Sequence, residues 1–279
     1  MGAWGYCLFQ SDHDFDMVSD LSHEAGLTKL GKDARVSAKA AGKSDEDIER
    51  DIFYSIYANL CSDPELVRRH LDSGILVDMI AKKETKMLTP RTTGLKEKLF
   101  GDWSTDPCYE YILLGACAMT LGCQLPATYL AMLKKVYTEG GVMPDGQRQM
   151  KKALFGPGGY KNGEPYDFKS KTILEEANSK PAKEPEDNGR GFMLMNVPGP
   201  GGFFNTGMTT TSTSLVIKEL RSQLNKPNEC GGCGVASRPK GEALLACGKC
   251  KNRKYCSTSC QKKHWKIHEK VCESAKVSL

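Results

Sequence analysis

Residues 230–272 read CGGCGVASRPKGEALLACGKCKNRKYCSTSCQKKHWKIHEKVC, and this stretch dictates how the end of the chain must fold. Its cysteines and one histidine fall into four pairs: Cys230/Cys233, Cys247/Cys250, Cys256/Cys260 and His268/Cys272. A gap of two residues lets a tight knuckle aim two sulfurs at one ion, and a spacing of four puts two ligands on one face of a helical turn. Zinc takes four thiolate or imidazole ligands in a tetrahedron, so these eight residues suit two closed sites with no position left for water or substrate. Closed sites are structural rather than catalytic. A module of this size has almost no apolar core, so metal binding has to supply its folding free energy. Spacing alone does not say which pairs share an ion.

The helical half of the stretch narrows that choice. Tyr255-Cys256-Ser257-Thr258-Ser259-Cys260-Gln261, followed by Trp265, His268, Lys270 and Cys272, resembles the signature of the MYND zinc-finger family. The resemblance covers about residues 230–272 and implies interleaved pairs. Cys230, Cys233, Cys256 and Cys260 would hold one Zn2+, while Cys247, Cys250, His268 and Cys272 would hold the other. It also implies a task, because in that family the positions of Gln261 and Trp265 contact short proline-containing peptides. The chemistry agrees: an indole offers a flat surface to a proline ring, and a side-chain amide can pair with an extended backbone that has no internal hydrogen bonds. The thirteen residues between Cys233 and Cys247 are many for the family, so Arg238-Pro239-Lys240-Gly241 is expected to form an extra surface turn. His264, four residues from both Cys260 and His268, is the rival ligand. With eight better-placed ligands it is expected to occupy an exposed helical position.

Composition sets the wider frame. The net charge of +5 hides a split, with +8 on residues 226–279 and −3 on residues 1–225. Coordination by seven thiolates lowers the module's charge to about +5. Lys249, Lys251, Arg253, Lys254, Lys262, Lys263 and Lys266 form a basic patch that predicts weak, sequence-independent contact with nucleic acid at low salt. Specific reading is not expected, because the ligand pattern lacks the ββα spacing of a DNA-reading finger. The first twenty residues hold Asp12, Asp14, Asp16 and Asp20 where a secretory leader needs an apolar run. Metal-bound thiolates in a reducing compartment therefore fit better than disulfides, and the expected location is intracellular, in cytoplasm or nucleus.

Upstream of the module the chain reads as mainly α. Asp12 is a candidate cap for a helix carrying Phe15, Val18 and Leu21, with Gly26 as its stop. Ser44 and Asp47 make a capping box before Ile48, Ile52, Phe53, Ile56, Tyr57 and Leu60, which recur at helical spacing. Asp63-Pro64 opens the next helix, with Gly74 expected just past its end. Residues 111–133 carry no charge, but Gly122, Gln124 and Pro126 interrupt them. Two short buried helices are expected there rather than a membrane span. Further helices are expected over Gln147–Leu154 and Leu215–Leu224. The expected organisation is a helical domain over 1–175, a Pro/Gly/Thr-rich linker over 176–214, and a short helix plus zinc module over 215–279. The run Pro198-Gly199-Pro200-Gly201-Gly202 lacks phosphate-loop spacing and belongs to that linker.

The expected function is a protein–protein interaction adaptor, not an enzyme. The serious enzymatic rival is a lysine methyltransferase, since some MYND fingers sit inside such enzymes. Their Asn-His-Ser-Cys signature is missing: the residues before the histidines are Asp12, Ser22, Arg69, Lys263 and Ile267. Asp12, Asp14 and Asp16 fail as a calcium loop, with Met17 where Gly is needed, and are read as ordinary acids at a helix start. The opening Met1-Gly2-Ala3-Trp4-Gly5 with Leu8-Phe9 resembles the start of an uncharacterised domain family that fungal proteins join to a MYND finger; it implies no activity. An enzyme of unknown reaction in the helical domain, with the finger as its targeting module, is the alternative.

Overall fold

The computed structural model describes residues 2–89, 106–179 and 214–274. Most of the expected linker, residues 180–213, lies outside the described residues, including the Pro-Gly run at 198–202. The described chain is mainly helical, with the two-site zinc module at its end.

Helix α6 (Pro107–Leu121) organises the body. Asp106 caps it through its side chain, Pro107 supplies a preset first turn, and Gly122 ends it in the left-handed region. Nearly every residue from Cys108 to Leu121 is buried, whichever face it lies on. A helix that is apolar all round has to sit at the centre of a fold. Around it pack α1 (Asp12–Glu24), α4 (Pro64–His70), α5 (Leu76–Leu88) and α7 (Ala127–Val136). The two buried helices expected on either side of Pro126 are α6 and α7. Among the described residues no helix is long and apolar enough to cross a membrane.

Several elements depart from the expectation. Ser11 rather than Asp12 caps α1, its hydroxyl accepting from the Asp14 amide. A helix not expected from the sequence, α2 (Leu27–Ala40), follows directly on Gly26. Only Leu27 of α2 is buried and Val36 is exposed, so its apolar pattern is thin. The helix expected through Leu60 stops early: α3 covers Asp45–Asp51 only. Residues 52–57 leave the helix, irregular over 52–55 and bent at 56–57, because their backbone finds partners elsewhere. Arg35 donates to the Ile52 carbonyl, Ser22 Oγ accepts from the Ile56 amide at 3.1 Å, and Phe53 pairs with Ser62. The β-branched and aromatic residues there suit extended backbone.

Gly74 is not a terminus either. It takes φ 118° within one widened turn, Leu71–Ile75, and the chain resumes as α5 immediately. Only glycine adopts that φ without strain, so the kink replaces the expected stop. Helix α8 (Pro144–Phe155) closes the far side of α7, and α9 covers Ile173–Ser179. Trp4 anchors the N-terminus by stacking on Phe15 at 5.6 Å and donating from Nε1 to the Lys171 carbonyl.

Helix α10 (Leu215–Asn225) joins body to module. Its Ile217 belongs to the core of the body and Leu220 packs against that core. It contacts α5 and α7 on one side and the module's own helix, α11 (Thr258–His268), on the other.

Candidate metal centre

The module is built from two knuckles, a short hairpin and α11. In the first knuckle the Gly234 amide donates to the Cys230 carbonyl at 2.8 Å; in the second, Lys251 donates to Cys247 at 3.1 Å. A Cβ on Gly232 would fall 2.9 Å from atoms of Cys260, so only glycine lets the first knuckle approach α11 this closely. Strand β1 (Leu245–Ala246) pairs antiparallel with β2 (Lys254–Tyr255), carrying the second knuckle between them. Ser257 caps α11 through the Cys260 amide, which fixes Cys256 and Cys260 on either side of the helix start. The long gap folds as a 3-10 turn at Pro239–Gly241, closed by an Arg238–Glu242 ion pair at 2.9 Å. That is the extra surface turn expected from the sequence.

The eight ligand residues gather into two groups, Cys230/Cys233/Cys256/Cys260 and Cys247/Cys250/His268/Cys272. Within each group the ligand atoms all lie within 4.8 Å of one another. The first and third pairs share one site and the second and fourth share the other, so the two sites brace the chain crosswise. The separations fit zinc. Sulfurs about 2.3 Å from a tetrahedral ion stand about 3.8 Å apart, and a sulfur and an imidazole nitrogen somewhat less. Observed Sγ–Sγ distances are 3.4 to 3.8 Å, and Cys250 Sγ lies 3.4 Å from His268 Nε2.

The electrostatics favour thiolate at one cysteine of each tetrad, Cys230 and Cys247, while hydrogen bonds from neighbouring thiols push Cys256, and burial with such bonds pushes Cys272, up to about 12. Burial pushes Cys230 up, but amides of Cys256, Gly232 and Cys233 point at its sulfur and bring its pKa down to about 6. Cys247 also falls to about 6 against its burial, helped by the amides of Cys250 and Lys249. Burial disfavours a charged His268, yet Glu219 and the neighbouring thiols outweigh it and raise its pKa to about 9. A metal binding at Nε2 therefore displaces a proton.

Residues 228–272 match the family model of the MYND finger.

The MYND finger is a zinc-binding, protein-interaction module, and its two Cys/His groups are fit to hold one Zn2+ each. No solved structure matches the chain. On α11 of the finger, Trp265 is 37% exposed and packs its ring steeply against that of His268, with centroids 5.9 Å apart and an interplanar angle of 63°. Gln261, one turn earlier and half-buried, donates to Cys247 Sγ at 3.8 Å.

Two expectations about the finger are corrected. His264 is not on an exposed face: its ring lies between Tyr255 and Glu219, with Nε2 3.3 Å from Glu219 Oε2 and Nδ1 3.2 Å from the Tyr255 hydroxyl. It is turned inward because α10 covers that side of α11. Arg253 does not join the basic patch. It is buried, donates to Ser222 Oγ at 2.8 Å and lies 3.4 Å from Glu219. Lys249, Lys251, Lys262, Lys263 and Lys266 remain exposed. Glu219 and Ser222, on a helix upstream of the finger, escaped sequence reasoning. The only signal was a pair of histidines four apart, which a single acid could serve.

Proposed function

We propose that this protein is an adaptor, not an enzyme, and that its finger captures short proline-containing peptides between Gln261 and Trp265. The supporting observation is the half-open indole of Trp265 one helical turn from the Gln261 amide on α11. Trp265 has two roles at once. The ring backs the His268 ligand, and its exposed part can take a proline ring. The exposed lysines on the same helix favour acidic partners and account for weak contact with polyanions. The module's thiol ligands fit an intracellular site of action. The adaptor reading also accords with Asp14, the most unusual acid of the body. Both its oxygens are engaged, by the Tyr109 hydroxyl at 2.6 Å and the Phe9 amide at 2.9 Å, which makes it a packing tie.

The test measures binding to a panel of short proline-containing peptides by fluorescence anisotropy. Trp265→Ala is expected to weaken the best binder by about 2 kcal/mol, as for a semi-buried aromatic anchor. Gln261→Ala is expected to cost about 1 kcal/mol, since water replaces part of what the amide supplies. Zinc content stays unchanged in both, because neither residue is a ligand. Loss of zinc from Trp265→Ala would reassign the indole to a structural role. Unchanged binding in two folded variants would place the interaction surface elsewhere.

A further inference from the structure

The finger has no acidic residue inside the second zinc site, yet its histidine ligand is held by one. Glu219, from α10, is 3% exposed and lies outside the matched finger span. Its Oε1 is 3.2 Å from His268 Nδ1 and accepts from Gln223 Nε2 at 2.8 Å, while its Oε2 receives His264 Nε2 at 3.3 Å. Arg253 Nε stands 3.4 Å away and balances the buried charge. His268 Nε2 faces the thiols of its site, so the proton of the metal-binding tautomer must sit on Nδ1, where Glu219 takes it. A carboxylate in this position fixes both the tautomer and the ring orientation of a ligating histidine.

We propose that Glu219 is the positioning residue of the Cys247/Cys250/His268/Cys272 site, so that zinc binding by the finger and docking of the finger on the helical body are a single linked event. The same helix that buries Ile217 in the body delivers the carboxylate to the metal ligand. Metal binding at this site therefore favours the docked arrangement, and the docked arrangement raises zinc affinity by the same factor. The first site, Cys230/Cys233/Cys256/Cys260, has no such link: among the described residues the hydrogen bonds of its ligands stay within the finger.

The full-length protein tests this with Co2+ in place of Zn2+, since a sulfur-only site and a site with one nitrogen absorb differently. Chelator titration then reads each site separately. Glu219→Ala is expected to lower affinity at the histidine site about 10- to 100-fold and to leave the sulfur-only site within about twofold. Glu219→Gln keeps an oxygen acceptor for Nδ1–H and is expected to lose less, a rescue that mere filling of space would not produce. Lys218→Ala, which removes an exposed side chain from the same helix, is expected to leave both affinities within about twofold. Parent-like affinity at both sites in Glu219→Ala would overturn the proposal, and so would equal losses at both sites. If Glu219→Ala fails to fold, Glu219→Gln carries the test: no selective loss at the histidine site would equally refute it.

Discussion

Asp14 shows how far burial can move a residue from its ordinary behaviour. Its sequence context, three acids at a helix start, suggests only a favourable helix dipole. The fold places it at 2% exposure, where loss of solvation outweighs its bonds to Tyr109 and Phe9 and raises its pKa. Between the ordinary carboxylate value and the raised one, the folded chain keeps a proton that the unfolded chain gives up. Stability from this group is therefore greatest below the unfolded value and is lost as pH rises through the folded one. Asp14→Asn abolishes that slope. Urea unfolding of parent and variant across the acidic range should show the variant gaining on the parent as pH rises, then levelling off. Zinc loss at low pH affects both chains alike, so the difference isolates Asp14. A constant difference would mean that Asp14 titrates normally.

At the scale of elements, α10 works as a two-faced bridge between the body and the finger. Ile217 is fully buried in the body, and its truncation to alanine is expected to cost about 2–5 kcal/mol of body stability. Two zinc ions per chain should remain, because no ligand lies on that face. Denaturant unfolding reads the first quantity and elemental analysis of protein prepared with excess zinc reads the second, and fewer than two ions per chain would contradict the expectation. Why some elements were legible in the sequence and others were not follows from where their partners lie. Helix α6 was readable because its own residues are apolar without interruption and its caps are local. The eight ligands were readable because zinc geometry imposes short spacings. The non-helical run at 52–57 was not, since helical periodicity in Ile52, Ile56 and Tyr57 coincides with a segment whose hydrogen bonds go to Arg35, Ser22 and Ser62. Glu219 was not either: nothing in residues 215–225 distinguishes it from any other helical acid until α11 is folded against it.

For the molecule as a whole, the structure predicts unequal dependence on metal. None of the ligands lies in α1 to α9, and the body's core is continuous without them. Chelation is expected to unfold the finger while most of the far-UV helical signal persists. A collapse of the entire signal would show that the body needs its finger. The bridge adds a second expectation. A specific protease site inserted within 180–213 should yield two products that still co-elute in gel filtration, because α10 packs on α5 and α7 from the far side of the cut. Separation of the products would mean that this packing is too weak to hold without the covalent connection.

The two tetrads also differ in how open they are to attack. Cys233 is exposed and Cys256 and Cys260 are half-open, whereas all four ligands of the histidine site are buried. A maleimide has to reach sulfur before it can add to it, so reactivity follows access once the thiolate is formed. Brief alkylation of the zinc-loaded protein should mark Cys233 first, and Cys247, Cys250 and Cys272 only after the finger opens. Chemical damage to this protein therefore has a point of entry, at the exposed sulfur of the finger's first knuckle.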